Sequence, residues 1–221
     1  MKSNTKRSIL HLLYPNRCPV CGTVIESDGR FCGECEDKLT VYSDSFCISG
    51  AESFTAAYVY DEAIKPAIIL MKDGTLGNSA FALGNALCDR LRSEGITERT
   101  DIIVPVPMYG KDLRERGYDQ AVEICRIISE NCGIPYVAAV EKYIDTMPQK
   151  ELNLKERQVN LKGAFRVPEP DTVKGKRILL VDDICTTGST LAEIVSVLLS
   201  SDAAEVHCAC CCKTEKKEGI I

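Results

Sequence analysis

The chain has 221 residues, 45% of them hydrophobic, enough to bury one full domain core and leave a short additional module. Its formal charge of -5 and isoelectric point near 5.2 set the surface as a whole against polyphosphate backbones, so non-specific binding to duplex DNA is disfavoured and any nucleic-acid contact must be local. With no tryptophan and only 6% aromatic residues, no stacking platform for single strands is evident.

The N-terminal stretch carries Lys2, Lys6, Arg7 and Arg17 with no acidic residue before Glu26, and reads as a solvated tail or as a local phosphate contact. Its apolar stretch is interrupted by His11 and stopped by Pro15, short of the roughly 7 to 15 apolar residues of a secretory signal. No later run approaches the roughly 18 apolar residues that span a bilayer. The expectation is a cytoplasmic protein without a membrane span, whose thirteen cysteines are reduced or hold metal.

Two knuckles, Cys18-Pro-Val-Cys21 and Cys32-Gly-Glu-Cys35, stand ten residues apart, with Gly22 and Gly33 permitting tight turns after Cys21 and Cys32. Four thiolates suit tetrahedral zinc, and the pairing favours a structural metal over a disulfide or redox role. Residues 1–50 therefore read as a cysteine-rich zinc-binding module and residues 51–221 as a second domain. Cys47 stands alone and reads as an inert thiol.

From residue 54 apolar runs alternate with amphipathic stretches. The pattern predicts a strand over 54–60, helices over 62–72 and 79–92, a strand over 101–107 and a helix over 120–131. It continues with a strand over 136–140, a fully apolar strand over 177–181, a helix over 189–199 and a final strand over 205–212. Such alternation predicts a parallel α/β sheet. Adjacent residues on a strand face opposite ways, so Cys208, Cys210, Cys211 and Cys212 cannot share one ion and read as small core residues. His11 and His207 read as structural.

One segment carries ligand chemistry. The apolar strand ending at Val181 runs into Asp182 and Asp183, then into Thr186, Thr187, Gly188, Ser189 and Thr190, which open a helix. Ligands of open α/β sheets bind at the carboxyl ends of strands. Backbone N–H groups and hydroxyls at a helix N-terminus favour a phosphate, and Gly188 allows close backbone approach. Carboxylates beside them suit sugar hydroxyls or a magnesium ion carrying pyrophosphate. A bland alternative makes the acidic pair a helix cap and the loop a plain turn. Cys185, inside the segment, is an oxidation candidate if its pKa is lowered.

This segment resembles the signature of type I phosphoribosyltransferases, in which the acidic pair holds ribose hydroxyls and the following loop wraps the 5-phosphate. Two further stretches, 104–121 and 143–165, together with the cysteine module, resemble the ComF family, phosphoribosyltransferase-like proteins linked to DNA uptake in natural competence. The resemblance implies a type I phosphoribosyltransferase fold, a parallel sheet flanked by helices, with a small zinc-ribbon-like module at the N-terminus. It makes Asp182 and Asp183 ribose contacts and residues 186–190 the phosphate cradle of a phosphoribosyl pyrophosphate site with magnesium. Pro107, Met108 and Tyr109 would hold pyrophosphate through their backbone, Lys72 would reach the site, and Arg116 with Arg114 would neutralise the leaving group. Helix-face pairing of Arg114 and Arg116 with Asp112 and Glu115, and a merely solvated Lys72, are the alternatives. In 143–165, Gln149, Arg157 and Asn160 are candidate contacts if the stretch closes over ligand; otherwise it contains an amphipathic helix. Relatives by this resemblance carry another cysteine pair downstream, where this chain has only Cys47.

Three functions stay open at this level. One is a phosphoribosyl pyrophosphate-binding protein of the ComF type acting in transformation. Another is a nucleotide-salvage phosphoribosyltransferase. The last is a non-catalytic scaffold for single-stranded DNA, working with the competence helicase or recombination proteins that the resemblance implies.

Overall fold

The structure, a computed structural model, describes residues 14–73, 77–108, 117–143 and 163–215. In chain order it contains a short helix α1 (Gly33–Glu36), β1 (Ser53–Val59), α2 (Lys65–Lys72), α3 (Gly77–Ser93), β2 (Ile102–Pro105) and α4 (Gln120–Cys132). There follow β3 (Glu141–Lys142), β4 (Phe165–Arg166), β5 (Arg177–Cys185), α5 (Ser189–Ser200) and β6 (Glu205–Lys213). The main sheet runs β1-β6-β5-β2 with every neighbouring pair parallel. The parallel α/β expectation therefore holds.

Helices cover both faces of this sheet. On one, Ile68, Leu83, Leu87, Ile124 and Ile128 pack with Leu179, Val181, Ala209 and Cys211. On the other, Leu191, Ile194 and Leu198 of α5 pack with Ile178, Leu180, Val206, Cys208 and Cys210. Cys208 and Cys210 thus face one core and Cys211 the other, as the period of a strand requires, while Cys212 near the strand end joins the core of Cys211. His207 is buried at the opposite end of the strand, bonded to the Ser53 hydroxyl at 2.8 Å and to Glu205 at 3.2 Å, a structural placement.

Three elements depart from the sequence pattern for local reasons. The helix expected from residue 62 begins at Lys65, because the Asp61 carboxylate accepts the N–H groups of Ala63 and Ile64 at 2.9 and 3.2 Å and holds them in a turn. The strand expected over 136–140 shrinks to one parallel bridge between Tyr136 and Ile103, after which the Ala139 N–H folds back to the Val137 carbonyl at 2.9 Å. The strand expected to stop at 181 continues to Cys185, because β6 extends alongside it, pairing Asp182 with Cys210 and Cys185 with Lys213. Both carboxylates therefore sit on a strand, not on a loop.

The described segment before β1 closes the sheet. Val41 bridges Tyr58 in antiparallel fashion, with Val59 N–H donating to the Thr40 carbonyl and Tyr42 N–H to the Ala57 carbonyl, so the outer edge of β1 is covered. Phe31 meets Tyr58 edge-on with ring centroids 6.0 Å apart, and Arg30 pairs with Asp89 of α3 at 2.7 Å. Because Phe31 is buried in the same cluster as Leu39, Ile64 and Leu83, Phe31→Ala in the zinc-loaded protein is expected to cost about 3 kcal/mol of unfolding free energy in a urea titration. A loss under about 1 kcal/mol would show that this packing does not hold the segment to the sheet.

Candidate functional site

The site is built where β5 ends. Asp182 Oδ1 accepts the N–H of Asp183 at 2.8 Å, and Asp183 Oδ1 accepts the N–H of Ile184 at 2.6 Å. Each carboxylate is thus oriented by the next peptide, with its second oxygen left for other partners; Asp183 Oδ2 takes Lys72 Nζ at 3.1 Å. Burial, reinforced by the charge of Asp183, pushes the Asp182 carboxyl well above the usual carboxylate range. The helix-cap alternative fails on geometry. Helix α5 starts at Ser189 with Gly188 at the capping position, so neither carboxylate caps it.

Gly188 has φ +78, in the left-handed region. A Cβ there would lie 2.5 Å from Ile48 Cδ1 and 3.1 Å from Phe46 Cε1, so the loop rests directly on the segment that precedes β1. Thr187 and Ser189 share a hydroxyl contact of 2.9 Å beside the first turn of α5, whose N–H groups have no partners within the helix. A cleft of about 460 Å³ is lined by Lys72, the acidic pair and every residue from Thr186 to Thr190, with Tyr60, Ile68 and Ile69 as an apolar wall. A second cavity of about 170 Å³ shares Lys72, Asp182 and Asp183 and is bounded by Pro107, Met108 and Asp119. A groove of about 520 Å³ on α5, lined by Ser49, Glu193 and Leu199 among others, lacks such convergent charge.

In the N-terminal segment the Sγ atoms of Cys18, Cys21, Cys32 and Cys35 all lie within 4.8 Å of one another, with Cys21 and Cys32 at 3.6 Å. Tetrahedral zinc with bonds of about 2.3 Å needs sulfurs about 3.8 Å apart, so the donor set fits. Hydrogen bonding with Thr23 lowers the Cys21 thiol to about 6, while burial raises that of Cys35. Cys47 is exposed and outside this cluster.

Comparison with known proteins agrees with both halves. A model described as a phosphoribosyl transferase domain matches residues 78–220, and one described as a double zinc ribbon domain matches residues 9–64. The DNA utilization protein YhgH of Escherichia coli (strain K12) is 31% identical over 202 residues, covering 89% of this chain and 84% of the relative. Competence protein F of Haemophilus influenzae is 30% identical over 212 residues, covering 91% and 92%. The chain belongs to the ComF family. Human amidophosphoribosyltransferase is 40% identical over a shorter stretch of 79 residues, 34% of this chain and 15% of that protein.

The fold of this ComF-family chain is accordingly the type I phosphoribosyltransferase fold with an N-terminal zinc ribbon. The four cysteines and the matched ribbon together support a structural zinc, and among the described residues they form the one such cysteine cluster. No helix among the described residues is long and apolar enough to cross a membrane.

The structure brings Asp182, Asp183, Lys72, Pro107, Met108 and residues 186–190 around two adjoining cavities. Tyr109 and Arg116, with Arg114, Gln149, Arg157 and Asn160, lie outside the described residues. Sequence reasoning did not single out Asp119, which accepts the Val122 N–H at 3.2 Å, caps α4 and faces the smaller cavity, its carboxyl raised by burial. An Asp-Gln pair opening an amphipathic helix was the available signal. Phe46, Ile48 and Lys213, which back the loop, had no local signal at all. Cys185 is buried beneath the loop, and hydrogen bonding to Cys210 lowers its thiol against the effect of burial.

Gly188→Ala is expected to lower unfolding free energy by at least about 1–2 kcal/mol, the cost of a left-handed backbone for a residue with a Cβ, with the overlap on Ile48 in addition. Unchanged urea denaturation would mean the loop is free to leave that floor. Cys18→Ser should reduce zinc in the purified protein from about one ion per chain to none; retained metal would refute the four-thiolate site.

Proposed function

We propose that this protein binds phosphoribosyl pyrophosphate at the β5 end and acts, like the relatives named for DNA utilization and competence, in the handling of DNA. The observation that carries the reading is one cleft lined at once by an acidic pair, a cation and a hydroxyl-rich loop opening a helix. Each part suits a different part of that ligand. The 5-phosphate takes the N–H groups and hydroxyls of residues 186–190, where the helix dipole favours an anion. The ribose hydroxyls donate to Asp182 and Asp183. The pyrophosphate lies toward Lys72 and the backbone at Pro107 and Met108, where Tyr109 and Arg116 follow in sequence.

Magnesium bound with the pyrophosphate would neutralise its charge, and the carboxylates of Asp182 and Asp183 are the oxygen donors nearest to hand. The chemistry this arrangement suits is displacement of pyrophosphate from C1 without a protein nucleophile, resting on orientation and charge. The setting in this reading is a reducing cytoplasm, where the thirteen cysteines would stay as thiols or hold metal. The zinc ribbon, residues 1–50 in this reading, is the part to which single-stranded DNA or a competence helicase or recombination protein would be directed.

Thermal unfolding with magnesium and phosphoribosyl pyrophosphate tests the site. At 100 times the dissociation constant the ligand adds about 2.7 kcal/mol, a rise of about 5 °C or more for a chain of this size. Ribose 5-phosphate should give a smaller rise and ATP none. The double variant Asp182→Asn, Asp183→Asn should abolish the shift, and an unchanged affinity in that variant would refute the assignment of the acidic pair.

A further inference from the structure

Strand β6 is a buried run that ends in a charge. Its last residue, Lys213, pairs in register with Cys185, the last residue of β5, and so stands at the base of the loop. Only 5% of Lys213 is exposed. Its ammonium donates to the carbonyl of Thr186 at 2.8 Å and to that of Thr214 at 2.6 Å, and lies 4.3 Å from the centroid of the Phe46 ring. No carboxylate pairs with it among the described residues, whereas Lys72 across the cleft pairs with Asp183. A buried cation without a counter-ion is unfavourable unless something else compensates it, and two neutral carbonyls with an aromatic face do so only in part.

The loop that would hold the phosphate, residues 186–190, contains no basic side chain. We propose that Lys213 is a positioning residue for the phosphate end of the ligand, acting through Thr186 and contributing the positive potential that this loop lacks. The inference rests on the phosphoribosyl pyrophosphate reading and deepens it. Every peptide bond here is trans, so the carbonyl of Thr186 and the N–H of Thr187 point in opposite directions. Drawing that carbonyl back onto Lys213 turns the next N–H away from Lys213, toward the ligand side of the loop. Thr214 reinforces the arrangement, its N–H donating to the Cys185 carbonyl at 3.1 Å. The Phe46 ring, which also lies against Gly188, covers the ammonium and shields its charge from water beside the loop.

The test measures binding of ribose 5-phosphate and of magnesium pyrophosphate separately, by calorimetry at several salt concentrations, for the wild type and for Lys213→Met, Lys213→Gln and Lys213→Arg. Zinc content and circular dichroism establish folding. Lys213→Met is expected to weaken ribose 5-phosphate about tenfold or more and magnesium pyrophosphate less than about twofold, with a flatter salt dependence for ribose 5-phosphate. Lys213→Arg should restore both affinity and salt dependence. Lys213→Gln, which keeps donors and drops the charge, should show the flat salt dependence, and it decides the matter with Lys213→Arg if the methionine variant does not fold. Wild-type affinity for ribose 5-phosphate in the neutral variants, or an equal loss for both probes, overturns the role of Lys213 while leaving the site itself in place. A wild-type protein that binds magnesium phosphoribosyl pyrophosphate and ribose 5-phosphate not at all removes the underlying reading and this inference with it.

Discussion

The parallel ladder between β5 and β6 is the constraint on which the site depends. It runs from Arg177 opposite Glu205 to Cys185 opposite Lys213, well past the point where the apolar residues end. A strand that stopped at Val181 would leave the two aspartates on a mobile turn. Continued pairing instead fixes their backbones, and the short bonds from each carboxylate to the following N–H then fix their side chains. The loop is anchored at both ends by regular structure, β5 before it and α5 after it. Its position can therefore be held to the accuracy that a phosphate and a sugar require together.

The N-terminal segment belongs to this construction and is not an independent appendage. It covers the edge of β1 through residues 40–42, and a few residues later Phe46 and Ile48 form the floor under Gly188. The same Phe46 ring faces the ammonium of Lys213 and meets Phe54 of β1 edge-on, centroids 5.2 Å apart. The chain leaving the zinc knuckles is thus packed against the loop of residues 186–190 through a short series of direct contacts. Glycine at 188 is required twice over, by its left-handed backbone and by the absence of room for a Cβ.

Sequence made the parallel sheet, the zinc knuckles and the loop legible because each is a local pattern: an apolar run of strand length, two cysteine pairs at ligand spacing, acids followed by hydroxyls and glycine. Helix α4 was legible for the same reason, between Asp119 and the left-handed Gly133. What stayed hidden depends on contacts far apart in the chain. The extension of β5 to Cys185 is decided by how far β6 runs beside it. The start of α2 is decided by Asp61 turning its carboxylate onto two N–H groups instead of entering the helix. The parts played by Phe46 and Lys213 join residues more than 150 positions apart, and nothing in either neighbourhood distinguishes them from an ordinary aromatic and an ordinary strand-end lysine.

Two carboxylates of the site, Asp182 and Asp119, are held where their ionised forms are disfavoured, a pattern more common in functional sites than in parts of a fold that serve stability alone. Asp182 is half-buried beside Asp183, and its ionised form is disfavoured by both desolvation and repulsion. Asp119 is disfavoured by burial on the far side of the smaller cavity. Lys72 satisfies one oxygen of Asp183 but also lines both cavities, so it stands between the acidic pair and any anion that enters. Apolar residues of similar size would stabilise the same strand end more effectively. The proposed ligand, with hydroxyls in its middle and anions at both ends, would resolve each conflict in place: its hydroxyls would donate to the acidic pair, one anion would meet the loop backed by Lys213, and the other would draw on Lys72. The ladder and floor hold these groups from relaxing apart, so the arrangement that is costly to the folded chain is also the one that the proposed ligand would find preorganised.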